Sequence, residues 1–129
     1  MSTEGNENTR GRARSRRALA LLFIGAGVNH FAMPRVYRRI VPPSLSGQAE
    51  RVVAISGVAE IAGGVGVLLA PTRRASGIGL IALLAAVFPA NVFMAREPQR
   101  FANIPRAALY ARLPLQPLMM WWVWRATSR

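Results

Sequence analysis

Residues 75–95 carry no charged side chain, and residues 52–70 carry only one, Glu60. Crossing a hydrocarbon core takes about 20 predominantly apolar residues in helical conformation. An open strand in lipid would leave its backbone groups unpaired, so each of these runs is read as a membrane helix. Two shorter apolar runs flank them. Residues 18–33 follow Arg16 and Arg17, which can lengthen the run by snorkelling. Residues 106–125 reach span length only by carrying Arg112 inside them. The expected fold class is therefore all-α: an integral membrane four-helix bundle over residues 18–126, with spans 18–33, 52–70, 75–95 and 106–125.

Composition agrees with that expectation. Apolar residues make up 52% of the 129-residue chain and charged residues 17%, which leaves little polar surface to cover a soluble core. All the cations are arginine and all the acids are glutamate, for a net charge of +12. The arginines lie at the edges of apolar blocks, where they meet lipid phosphate, so nucleic acid is not the expected partner. Absence of cysteine excludes thiol chemistry and disulfides. Residues 1–17 are polar and have no apolar face, and they are read as a disordered cytoplasmic tail. Ser15-Arg16-Arg17 resembles part of a twin-arginine export signal. No small-x-small cleavage site follows it, so the segment is expected to be retained.

The connections can also be read. Pro34 suits the first turn of a short helix, on which Val36, Tyr37, Ile40 and Val41 lie opposite Arg35, Arg38 and Arg39, an interfacial pattern. Pro42 and Pro43 end that helix, and Ser46 is the expected N-cap of the second span. The tight link 71–74 makes spans two and three an antiparallel hairpin. Four spans put both ends on one side, with Arg10, Arg12, Arg14, Arg16, Arg17, Arg73, Arg74, Arg125 and Arg129. The opposite side holds Arg35, Arg38, Arg39, Arg51, Arg96, Arg100, Arg106 and Arg112. The dense first cluster favours cytoplasmic termini in a plasma or inner membrane. Trp121, Trp122 and Trp124 fit an aromatic belt at that side.

Polar groups inside the spans are the candidate site, because intramembrane ionisable groups face protein or water. Glu60 lies mid-span on a face of small residues, Ser56, Gly57, Gly63 and Gly64, that lets another helix approach closely. His30, the only histidine, follows Asn29 and can pair with Glu60 across the helix interface for proton transfer or quinone hydrogen bonding. Asn91 follows Pro89, whose ring frees a helix carbonyl. Arg112 and Gln116 lie on one face at i, i+4, and Arg112 is the best-placed cation for Glu60 if both sit near the outer half; otherwise it snorkels at the start of the span. Each of these groups also has a purely structural reading, in which it locks helix packing. No catalytic residue and no metal site follows from the sequence.

Taken in order, several motifs resemble the DoxX-like family of small four-span bacterial membrane proteins. They are Gly27-Val-Asn-His-Phe31, Pro34-x-x-Tyr37, Ile40-x-Pro42, Ser56-Gly-Val-Ala-Glu60, Phe88-Pro-Ala-Asn91 with Met94-Ala95, and Arg112-Leu-Pro-Leu-Gln116. The resemblance implies a non-catalytic accessory subunit of a quinone-linked redox complex in the bacterial inner membrane. The resemblance carries over no functional residue; the candidate interhelical polar site is drawn from the spans themselves and comprises His30, Asn29, Glu60, Asn91, Arg112 and Gln116. No cofactor is expected to be covalently bound, and a quinone is the class the site admits. The expected partners are the bilayer, another membrane or membrane-associated protein and, in one version, further copies of this chain. Two alternatives stand beside it, a non-enzymatic scaffold or chaperone-like protein and a small proton-coupled transporter.

Overall fold

The computed structural model describes residues 3–128, so Met1, Ser2 and Arg129, which belong to the expected tail and the expected cytoplasmic cluster, lie outside it. The chain is all-α. Helix α1, Thr3–Ala32, is continuous, which corrects the expectation of a disordered segment before residue 18. Starting a helix is costly, whereas extending one that already exists fixes only one residue for each hydrogen bond gained. The apolar part of α1 supplies that nucleus. Glu4 and Glu7 lie toward the positive end of the helix dipole, and Thr9 Oγ1 donates to Gly5 O at 2.8 Å. Residues 3–11 therefore extend as exposed helix without any apolar face.

The chain turns by 99° at Met33 into the short helix α2, Pro34–Ile40, as Pro34 requires of the first helical turn. A 3-10 segment, Pro43–Gln48, then leads directly into α3, Ala49–Leu68. Ser46 is therefore not the cap expected of it. It sits inside this helical turn, and Gln48 precedes α3 without a side-chain capping bond.

The α3–α4 connection is tied by side chains. Thr72 Oγ1 donates to Gly66 O at 2.8 Å, and Arg73 Nε donates to Val67 O at 3.0 Å. These bonds satisfy carbonyls that the end of α3 would otherwise leave open. Helix α4, Arg73–Arg96, runs through Pro89. A second 3-10 segment, Pro98–Phe101, precedes α5, Arg106–Thr127, which contains Pro114 and Pro117.

Helices α1 and α3 pack most extensively, followed by α4 on α5 and α3 on α4. Two apolar clusters stabilise opposite ends. Leu19, Phe23, Val67, Leu80, Val123 and Ala126 form one, and Met94, Phe101 and Leu109 form the other. At the first end Arg16 Nε donates to Ala126 O at 2.9 Å, and Trp122 Nε1 donates to Ser15 Oγ at 3.4 Å. The start of the apolar part of α1 thus lies level with the end of α5.

Two helical segments are long and apolar enough to cross a membrane, Pro43–Leu68 and Arg73–Arg96. A third crossing is added if the bent pair α1–α2 counts as one span. Helix α5 does not reach this level, because Arg106, Arg112 and Arg125 dilute its apolar character.

Candidate functional site

The site grows from the contact between α1 and α3. Gly27 and Gly57 face each other so closely that a Cβ on Gly27 would lie 2.6 Å from Gly57 O. A Cβ on Gly64 would meet Ile24 Cγ1 at 2.8 Å. This close approach carries His30 of α1 to Glu60 of α3, with His30 Nδ1 3.2 Å from Glu60 Oε2. Both side chains are largely enclosed, at 10% and 15% exposure.

His30 Nδ1 also lies 2.7 Å from Ala26 O, one turn back. A carbonyl can only accept, so the proton belongs on Nδ1 and points at Ala26 O. The contact with Glu60 is then electrostatic, and among the described residues Oε2 of Glu60 has no hydrogen-bond partner. The other ring nitrogen, Nε2, makes no hydrogen bond among the described residues.

The bend at Met33 adds a residue that sequence reasoning had assigned only to an interfacial face. Tyr37 of α2 folds back and stacks on His30, with ring centroids 3.9 Å apart and planes 23° from parallel. Its hydroxyl accepts a hydrogen bond from Asn29 Nδ2 at 2.9 Å. The signal was present as Asn29-His30 followed by Pro34-x-x-Tyr37, but only a sharp turn at Met33 makes those residues neighbours.

His30 and Tyr37 also line an apolar cleft of about 380 Å³. Its walls include Ile40, Leu45, Val53, Leu83 and Val87, so α1 to α4 all contribute. That volume is within the range of small-molecule sites, and its composition, mostly apolar with a few polar groups, is typical of them.

The remaining predicted site residues are elsewhere. Asn91 and Gln116 are buried in α4 and α5, at 3% and 8% exposure, and neither lines this cleft. Asn91 Oδ1 and Gln116 Oε1 have no hydrogen-bond partner among the described residues. Arg112 is exposed, whereas Gln116 one turn away is buried, so the two do not act as one polar face. Among the described residues Glu60 has His30 as its ionic partner, and Arg112 does not fill the role expected of it.

Residues 19–127 match the model of a family described as a domain of unknown function, DUF8561. The chain belongs to the DUF8561 family. No curated protein and no solved structure matches it. Membership of DUF8561 corrects the DoxX-like resemblance, since the family match is to a different family and nothing else points to DoxX. The physical reason lies in the motifs themselves. Small residues beside a buried carboxyl, a proline at a bend and an amide after an intrahelical proline are general solutions for packing apolar helices around polar groups. They recur wherever that problem is solved and do not mark one lineage. In this DUF8561 chain the His30–Glu60–Tyr37 cluster and its cleft are the best-formed site.

Proposed function

We propose that this protein is a multi-pass membrane protein that binds a lipid-soluble molecule with a hydroxyl or carbonyl head, of the quinone class. The observation that carries the proposal is His30, backed by Glu60 at 3.2 Å and stacked on Tyr37, at the wall of an apolar cleft. With Nδ1 turned to Ala26 O, Nε2 is the ring atom left for a ligand. A neutral imidazole accepts a hydrogen bond from a hydroxyl there, and an imidazolium donates one to a carbonyl. The apolar walls accommodate a ring and the start of a tail.

The full architecture proposed is four spans with both ends on the cytoplasmic side. It is supported by the Arg16–Ala126 and Ser15–Trp122 bonds, which bring the two outer helices level at one end. It is also supported by large apolar side chains that face outward, such as Leu21 at 76% exposure and Ile55 at 68%. Lipid is the medium that suits such a surface.

Titration of the detergent-purified protein with a short-chain benzoquinone, followed by calorimetry, tests the ligand. Wild-type protein should bind, and His30→Ala should weaken binding at least tenfold, about the worth of one hydrogen bond to a charged group. Ala86→Trp, which fills the cleft, should abolish it. Equal binding by wild type and His30→Ala, with circular dichroism unchanged, would overturn the proposal.

A second reading, a scaffold in which the polar pair only locks helices, is favoured by the position of Glu60 beside the Gly27–Gly57 contact. It requires Glu60→Gln to lower thermal stability and abundance while no ligand binds at all.

A further inference from the structure

At the end opposite the Arg16–Ala126 bond, a second hollow of about 520 Å³ is lined by Arg38 and Arg39 of α2 and by Arg100 of the Pro98–Phe101 segment. These arginines come from segments far apart in sequence. Arg39 Nη2 donates to Arg100 O at 3.3 Å, which ties α2 to the segment before α5. The Arg100 guanidinium lies 5.7 Å from the centre of the Phe93 ring, a cation–π contact that limits its freedom. Among the described residues, Arg39 and Arg100 have no carboxylate within ion-pair reach, and Arg38 has only Glu50, at 2.8 Å. The Glu50 side chain is 82% exposed, so that pair is weak and readily exchanged for a better anion.

Three guanidinium groups around one hollow call for an anion with several oxygens, and arginine pairs with phosphate through two parallel hydrogen bonds. The rest of the lining decides which phosphate. Val41, Pro43 and Phe101 form an apolar border beside the cations, and Val41 also lines the cleft below His30. A free phosphate has no use for such a border, whereas the glycerol and first methylenes of a phospholipid do. We infer that Arg38, Arg39 and Arg100 form a specific site for the phosphate of an anionic phospholipid, with its acyl chains on the Val41, Pro43 and Phe101 side. This site is carried by observations separate from those for the quinone-class ligand and does not depend on them.

The test uses the full chain in a neutral maltoside detergent. It is titrated in turn with dihexanoyl phosphatidylglycerol, dihexanoyl phosphatidylcholine and inorganic phosphate, and binding is read by native mass spectrometry and thermophoresis. Phosphatidylglycerol should bind at least tenfold more tightly than either of the others. Arg39→Ala and Arg100→Ala should each weaken it at least tenfold. Glu50→Gln, which removes the competing carboxylate, should tighten it severalfold. His30→Ala should leave it unchanged, which separates this site from the cleft.

Arg112→Ala removes a charge outside the hollow and should have little effect. A loss there equal to that of Arg100→Ala would reduce the effect to net charge and overturn the site. Equal binding of phosphatidylglycerol and phosphatidylcholine would overturn it as well. Inorganic phosphate binding as tightly as phosphatidylglycerol would overturn the assignment to a lipid. If Arg39→Ala fails to fold because its bond to Arg100 O is lost, Arg100→Ala and Glu50→Gln decide the matter by themselves.

Discussion

Gly27 shows how little room the α1–α3 contact has. A methyl group there would press on the Gly57 carbonyl and on Ile61 Cγ1, both at 2.6 Å. Backbone atoms on the far side cannot give way as a flexible side chain can. Gly27→Ala should therefore destabilise the protein by about 1–3 kcal/mol, the usual cost of overpacking. Gly25, two positions earlier, has nothing within 4 Å of its added Cβ. Gly25→Ala should be neutral or stabilising by up to about 1 kcal/mol, from helix propensity. Thermal unfolding in one detergent compares the two directly, and equal midpoints would contradict the close approach that holds His30 against Glu60. Glycines on the face of Glu60 are visible in the sequence, and so is the lone histidine. Neither Tyr37 as the stacking partner nor the exposure of Arg112 is visible, because both depend on where other helices lie.

At the scale of elements, the α3–α4 hairpin depends on side chains from the turn. Thr72 reaches Gly66 O and Leu69 O, while Arg73 reaches Val67 O and Leu68 O. The cation also sits at the negative end of the α3 dipole. Arg73→Ala should cost about 1–2 kcal/mol, the worth of a charge-assisted hydrogen bond to a carbonyl. Arg74→Ala, whose side chain is exposed and makes none of these bonds, should leave the unfolding temperature unchanged. Comparable losses from both variants would mean that charge alone, and not capping geometry, holds the turn. Helix α1 makes the complementary point. Its polar first turns are helical only because an apolar segment downstream provides the nucleus.

Across the whole molecule, the long helices α1, α3, α4 and α5 alternate in direction, while α2 turns aside by 99°. Arg74 and Ser128 lie toward one end, where Gly77 meets Thr127, and Ser46 and Gln99 toward the other, where Ser46 and Arg100 line one hollow. The chain has no cysteine of its own, so single substitutions are clean reporters. In sealed inverted vesicles, Arg74→Cys and Ser128→Cys should react with a membrane-impermeant maleimide, and Ser46→Cys and Gln99→Cys should react only after the vesicles are opened. Labelling of Ser128→Cys on the same side as Gln99→Cys would mean that α5 does not cross, and four spans would have to be abandoned.

The sequence by itself determined that the chain is helical and that two of its helices suit lipid, because uninterrupted apolar length is a local property that no tertiary contact can change. It also determined the proline-started α2 and the tight hairpin, both set by backbone chemistry within a few residues. It misjudged residues 3–17, because helix propagation borrows its nucleus from outside the segment being read. Its motifs pointed to the wrong family, since they record packing needs shared by unrelated bundles. Only the tertiary structure decided that Glu60 meets His30 instead of Arg112, and that Tyr37 returns to cover the imidazole. It also decided that Arg38, Arg39 and Arg100 surround one hollow. Each of these depends on the direction of a bend or the register of two helices, and no periodicity along a single helix encodes either.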